Sequence, residues 1–171
     1  RGAGRDPRRP GRMTDDALRG VRLGIDWGQA RIGVAACDAG GVLAFPVETI
    51  APASDARVVR DRLTAIVEEY EPVVAYLGLP RHLRGAEGES AAKARGQARW
   101  LARTFPDVAV HLVDERMTTV SATRQLQEAG RSAKTQRAVI DQAAAVAILN
   151  HALDTERLTG ARAGERIEGK V

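Results

Sequence analysis

Between Val21 and Asp26 apolar and non-apolar positions alternate. Val21, Leu23 and Ile25 fall on one side, Arg22, Gly24 and Asp26 on the other, the period-two signature of a strand. Ile32 to Cys37 predicts a second strand. Asp38-Ala39-Gly40-Gly41 is a turn of the kind that closes hairpins, and Val42 to Ile50 predicts a third strand. Pro46 inside it points to an edge position or an irregularity. Three strands on short links imply an antiparallel meander. The period then changes. Ser54 or Asp55 can cap a helix with the stripe Val59, Leu63, Ile66, Val67 and Tyr70, ending before Pro72. Val73 to Leu77 is a continuous apolar run, as in a strand buried on both faces. After a loop over 78–88, Ala91, Ala94, Ala98, Leu101 and Phe105 predict a second helix, with Arg95, Arg99 and Arg103 four apart on another face. Val108 to Val113 predicts the last strand. Thr118 or Thr119 can cap a helix stopping at Gly130, residues 131–137 read as a basic connector, and an alanine-rich helix is predicted from about Ala138 to about Thr155.

The order is three strands, helix, strand, helix, strand, helix, helix. A meander followed by two strand-helix crossovers implies an α/β fold with a mixed five-stranded sheet, an antiparallel meander plus two parallel strands, and helices on both faces. This is the order of an RNase H-like fold. Residues 1–20 lack periodicity and are rich in Arg, Gly and Pro, which predicts a disordered basic arm. The folded domain is expected over 21–157 and a flexible tail over 158–171.

Composition narrows the class. The 171 residues are 44% hydrophobic but only 4% aromatic, so the core is built mainly from Ala, Val, Ile and Leu. No apolar run is long enough to span a bilayer, and no secretory pattern opens the chain, so the cytoplasm is the expected compartment. The single cysteine, Cys37, excludes an internal disulfide framework and a cysteine zinc site. It reads as a small buried hydrophobe, with an intermolecular disulfide as the alternative. The formal net charge is +4, of which the first 20 residues hold +3. A nucleic-acid surface on the body therefore has to come from local clustering.

Three carboxylates stand in unusual places. Asp26 ends the first strand, Glu115 follows Asp114 at the end of the last strand, and Asp141 is the only charged residue between Arg137 and Asp154. A carboxylate at the end of a buried strand is costly unless something pairs with it. Were the three to converge, their repulsion would imply a bound cation, and oxygen-only ligands favour Mg²⁺ or Mn²⁺. Each also has an ordinary reading: a turn for Asp26, an arginine partner for Glu115, a helix-dipole position for Asp141.

Four ordered motifs carry a resemblance. They are Asp26-Trp27-Gly28 with Arg31 and Gly33-Val34-Ala35; Gly78-Leu79-Pro80 with Gly85 and Glu87; Asp114-Glu115-Arg116-Met117-Thr118-Thr119; and Val139-Ile140-Asp141 with Ala143-Ala144 and Ile148-Leu149. Over roughly Val21 to Leu153 the chain resembles the YqgF (RuvX) family of RNase H-like nucleases, described as pre-16S rRNA nucleases and Holliday-junction resolvase-like proteins. The resemblance implies that Asp26, Glu115 and Asp141 bind Mg²⁺ or Mn²⁺ and catalyse phosphodiester hydrolysis, with Asp114 either assisting or holding Arg116. Gly28 allows a tight turn, and Gly33 leaves space for backbone packing or substrate. His82 stands where the family often has Asn, and reads as a loop residue. His111 reads as structural, so no histidine general base is expected.

Basic residues flank the acidic ones. Arg31, Arg81, Arg84, Arg116, Thr118, Lys134 and Arg137 are the expected nucleic-acid contacts, joined by Lys93, Arg95, Arg99 and Arg103 on the second helix and by Arg124 and Arg131 around the third and fourth motifs. Trp27, more than Trp100, is placed to stack on a base. The leading function is an endonuclease processing the 5′ end of pre-16S rRNA, as a monomer or homodimer without membrane contact. The alternatives are a dimeric resolvase of branched DNA, a non-catalytic RNA-binding module, and a phosphate-binding domain of the actin and sugar-kinase type, for which 171 residues are too few.

Overall fold

A computed structural model describes residues 15–80, 88–115 and 134–170, with side chains from Ala17 onward and, in the last helix, from Gln142 onward. The alternating segment forms β1 (Arg22–Trp27), followed by β2 (Ile32–Cys37) and β3 (Ala44–Ile50). Gly28 N–H donates to the Arg31 carbonyl at 2.9 Å, and a Cβ on Gly28 would lie 2.7 Å from that oxygen. Glycine is thus what lets β1 and β2 meet in so tight a turn. At the other hairpin, Asp38 accepts the backbone N–H groups of Gly40, Val42 and Leu43. These donors, Leu43 foremost, hold its carboxyl below the usual range. Pro46 lies beside a register shift between β2 and β3, and β3 is an edge strand, so both of its expected roles are met.

Helix α1 (Ala56–Tyr70) is capped by Asp55, which accepts from Arg57 and Val58 N–H, and buries Val59, Leu63 and Ile66. Strand β4 (Val74–Leu79) is buried along its whole length, as its unbroken apolar run requires. Helix α2 (Glu89–Thr104) buries Ala91, Ala94, Ala98 and Leu101, and β5 (Ala109–Asp114) follows. Helix α3 (Lys134–Thr159) starts earlier than its alanine-rich core suggested, within the segment read as a connector.

The sheet has six strands in the order β3-β2-β1-β4-β5-β6, one more than expected. The extra strand, β6 (Glu165–Ile167), pairs antiparallel with β5. Residues 158–170 are therefore not a flexible tail: they finish α3 and close the β5 edge. The expected arm is also corrected at its inner end. Asp15–Leu18 is a 3₁₀ turn with Leu18 buried, and Arg162 donates to the Leu18 and Ala17 carbonyls. Residues 1–14 lie outside the described residues, as does the helix expected to end at Gly130.

The two faces of the sheet have separate cores. Leu23 and Ile25 pack under α1 and α2, whereas Val74, Tyr76 and Val113 pack under α3 with Ala145, Ile148, Leu149 and Leu153. Arg22, Gly24 and Asp26 lie on the α3 side of β1 by strand alternation. Cys37 is buried in the α3-side core, where desolvation raises its thiol above the usual value. It presents no sulfur for an intermolecular bond. Among the described residues no helix is long and apolar enough to cross a membrane.

Candidate active site at the carboxyl end of the sheet

Strands β1, β4 and β5 are mutually parallel, so their carboxyl ends meet at one edge of the molecule. Ile25 pairs with Leu77, which places Asp26 beside Gly78; Gly78 pairs with Val113, two residues before Glu115. By alternation Asp26, Gly78, Val113 and Glu115 all belong to the α3 side. Asp26 is only 2% exposed. The space above Gly78 explains the residue type: a Cβ there would lie 2.6 Å from Glu115 Oε1 and 2.9 Å from Ile148 Cδ1. Glycine at 78 therefore lets the Glu115 carboxylate fold over β4 toward the strand that carries Asp26. Two carboxylates thus flank a backbone without a side chain.

The neighbouring row is equally spare. Asp26 pairs with Gly33 and Gly33 with Thr49, so one row across three strands reads carboxylate, no side chain, hydroxyl. Helix α3 crosses this end. A Cβ on Gly24 would lie 2.5 Å from the Ala145 carbonyl oxygen, and Gln142 Nε2 donates to Thr49 Oγ1 at 3.0 Å. Asp141 occupies the helical position just before Gln142; its side chain lies outside the described residues. Among the described residues no group of three or more His, Cys, Asp or Glu comes together.

An open cleft of about 360 Å³ adjoins Glu115, lined by Trp27, Gly28, Arg31, Gly78, Lys93, Gln97 and Glu115 itself among others. Of the expected nucleic-acid contacts, Arg31 stands at this cleft. Arg81, Arg84, Arg116 and Thr118 lie outside the described residues, as do His82, Arg124 and Arg131 and the side chains of Lys134 and Arg137. Lys93, weighed only as part of a basic helix, proves to line the cleft. Arg95 turns the other way, to Glu165 at 2.9 Å. Trp27 lines the cleft, and its ring makes a T-shaped contact with Trp100, centroids 5.8 Å apart.

At the opposite end of the sheet sequence reasoning missed a buried polar cluster. Glu156 of α3, 3% exposed, accepts from Arg22 Nη2 at 2.8 Å, from Arg162 Nη1 at 2.9 Å and from the Tyr76 hydroxyl. Desolvation, and then the hydrogen bond to Glu156, push the Tyr76 phenol well above its usual value. His111 Nδ1 lies 2.9 Å from the Ala163 carbonyl, which fits the structural role expected of it. A buried arginine on β1 was the available signal, because such a charge needs a partner.

A family model described as "RuvX: Holliday junction resolvase" matches residues 20–155. The chain belongs to this family. A "Putative pre-16S rRNA nuclease" of Streptomyces avermitilis is 53% identical over 150 residues, covering 88% of this chain and 96% of that protein. A protein of the same name from Cutibacterium acnes is 54% identical over 149 residues, covering 87% and 91%. Among solved structures, T. thermophilus RuvC in complex with Holliday junction substrate aligns with a TM-score of 0.51 at 17% identity, over 83% of this chain and 98% of that one. That likeness speaks for the fold, which is RNase H-like as the element order implied. The RuvX family is a nuclease family, and its members act on nucleic acid.

Proposed function

We propose that this RuvX-family protein is a divalent-metal-dependent endonuclease that hydrolyses a phosphodiester near the 5′ end of pre-16S rRNA. The observation that carries the reading is the placement of Asp26 and Glu115 at the ends of the strands either side of Gly78, with Gly78 and Glu115 lining an open cleft. Asp141 supplies the third carboxylate in this reading. Two residues along β1 span about 6.6 Å, equal to about four residues of helix. Counting back by that length from the Ala145–Gly24 contact leads to helical position 141 near Asp26, which supports Asp141 as the third carboxylate.

The donor set suits Mg²⁺ or Mn²⁺: carboxylate oxygens, a glycine cradle that a methyl group would fill, and no thiolate or imidazole in the cleft lining described. A metal held by Asp26, Glu115 and Asp141 would activate water and neutralise charge on the phosphate. The chain's own residues bind and orient. Arg31 and Lys93 lie along the cleft, where they can hold backbone phosphates on either side of the scissile bond. Arg81, Arg84, Arg116, Thr118, Lys134 and Arg137 extend that surface in this reading. The depth of Asp26 keeps bulk water from screening its charge.

The family's description as a Holliday junction resolvase favours a second substrate, branched DNA, which calls for paired cuts and a two-fold dimer. One experiment decides. Precursor 16S rRNA and a four-way DNA junction are incubated with the wild type, Asp26→Asn and Glu115→Gln, in Mn²⁺ or in excess EDTA. The expected result is specific RNA cleavage by the wild type in Mn²⁺ alone. Cleavage in EDTA, or by Asp26→Asn at the wild-type rate, would sink the mechanism. Cleavage of the junction alone would reassign the substrate.

A further inference from the structure

Helix α3 meets the sheet through small residues over most of its length. Ala144, Ala145, Ile148, Leu149, Ala152 and Leu153 are buried, and Ala145 rests on Gly24 with backbone almost touching backbone. Such contacts hold the helix against the sheet, and a hydrogen bond adds a directional constraint at one point along it. At the catalytic end of the described side chains stands a directional contact: the hydrogen bond from Gln142 Nε2 to Thr49 Oγ1 at 3.0 Å.

Thr49 is suited to be the fixed partner. It stands on β3 in the same row as Asp26, with Gly33 between them. A β-branched side chain on a strand has few rotamers, so its hydroxyl is held by the backbone. Neighbouring positions on a helix are related by a fixed turn of about 100° and a rise of about 1.5 Å. To fix Gln142 against the row is therefore to fix the helical position of Asp141 against it.

We propose that Thr49 and Gln142 are a positioning pair for the catalytic centre, setting the rotation and advance of α3 that bring Asp141 over Asp26. This rests on the reading of Asp26, Glu115 and Asp141 as the carboxylate set. Neither residue of the pair touches the reacting atoms; both act through the placement of Asp141. The bond is only half-buried, so its loss leaves the fold intact while loosening the site. Displacement of a catalytic group by about 1 Å is enough to cost about 100-fold in rate, and supporting contacts behind metal ligands are worth about 10- to 100-fold in metal affinity.

The test uses the full chain and four variants: Thr49→Val, which removes the hydroxyl at nearly constant shape; Thr49→Ser, which restores it; Gln142→Leu; and Asp141→Asn. Three quantities are read: Mn²⁺ affinity by calorimetry without substrate, single-turnover cleavage rate against substrate concentration, and melting temperature in EDTA. Thr49→Val and Gln142→Leu are expected to weaken Mn²⁺ binding about 10-fold or more and to slow the chemical step by a similar factor. Half-saturating substrate should not change, and Thr49→Ser should recover both losses. Melting in EDTA should shift by no more than ~3 °C. Wild-type Mn²⁺ affinity and rate in Thr49→Val, beside a dead Asp141→Asn, would overturn the positioning role and leave the carboxylate set standing. Wild-type metal binding and cleavage in Asp141→Asn would overturn the carboxylate set and the pair with it. A Thr49→Val protein that melts much earlier but binds Mn²⁺ normally when folded would make the bond purely structural and overturn the proposal.

Discussion

Gly78 separates stability from chemistry at a single atom. The groups that a new methyl would meet are Glu115 Oε1 and Ile148 Cδ1, both ends of movable side chains. Gly78→Ala should therefore fold, with a loss of about 1 kcal/mol from local overpacking, while Glu115 is pushed off β4. The expected outcome is a near-normal denaturation curve and Mn²⁺ binding too weak for calorimetry; normal Mn²⁺ affinity would show that Glu115 works from elsewhere. Asp26→Asn runs the opposite way. It deletes one of two charges that crowd Gly78, so in EDTA the variant should be at least as stable as the wild type, while cleavage in Mn²⁺ falls by orders of magnitude. Thermal melts paired with single-turnover cleavage check both halves, and a destabilised but active protein would return Asp26 to a turn-forming role. The motifs made Asp26, Gly78 and Glu115 visible in the sequence. That Gly78 serves Glu115 was not, because alternation fixes only which face a residue is on. The packing of a side chain from the next strand appears only in three dimensions.

At the scale of elements, α3 is fastened differently at its two ends. The end away from the cleft is anchored by Glu156, whose carboxylate takes Arg22, Arg162 and Tyr76 together. Removing one partner from a buried ionic contact of this kind costs about 3–5 kcal/mol, far more than one half-exposed hydrogen bond at about 0.5–1.5 kcal/mol. The anchored end thus carries most of the stability, and the bond at the catalytic end little of it. Helices α1 and α2 were legible from their apolar stripes, β1 from its alternation and β4 from its unbroken apolar run. The anchor was not, since Arg22 and Glu156 lie 134 positions apart and nothing local announces the pairing. The cluster has a pH signature. Desolvation pushes the His111 imidazole below its usual value of 6.5, with the Arg166 and Arg162 charges acting the same way. A base held neutral in the fold contributes fully above the unfolded value. Its contribution is lost as pH falls from that value toward the depressed one. Melting temperature should therefore drop as pH falls below about 6.5, and His111→Gln should flatten that slope. An unchanged slope in the variant would move the titration to another group.

The molecule as a whole is closed by the segment least legible in its sequence. Glu165–Ile167 is a strand of three residues, too short to show alternation and set among glycines and charges. A tail that merely trails would leave stability unchanged when removed; a closing strand would not. Ending the chain after Thr159 removes several interactions at once. Arg162 is lost from Glu156, and Ala163, 2% exposed, is lost from the α3-side core. The carbonyl that faces His111 goes, and so does the partner of β5 over Val110, His111 and Leu112. Glu156 keeps Arg22 and Tyr76 but loses one of its cations, and β5 becomes an open edge able to pair with another chain. By the cost of breaking a buried ionic contact alone, the loss is about 3 kcal/mol or more, a large share of a domain's usual margin. Urea denaturation of the full chain and of the chain ending at Thr159 should show a clearly lower midpoint for the shorter protein. Light scattering should show concentration-dependent association. Because the missing strand pairs with β5 only as far as Leu112, three residues short of Glu115, Mn²⁺ affinity of the fraction that remains folded should be close to that of the full chain. Equal midpoints for the two proteins would restore the reading of residues 158–171 as a tail, and would mean that the β5–β6 pairing does not contribute to the folded state.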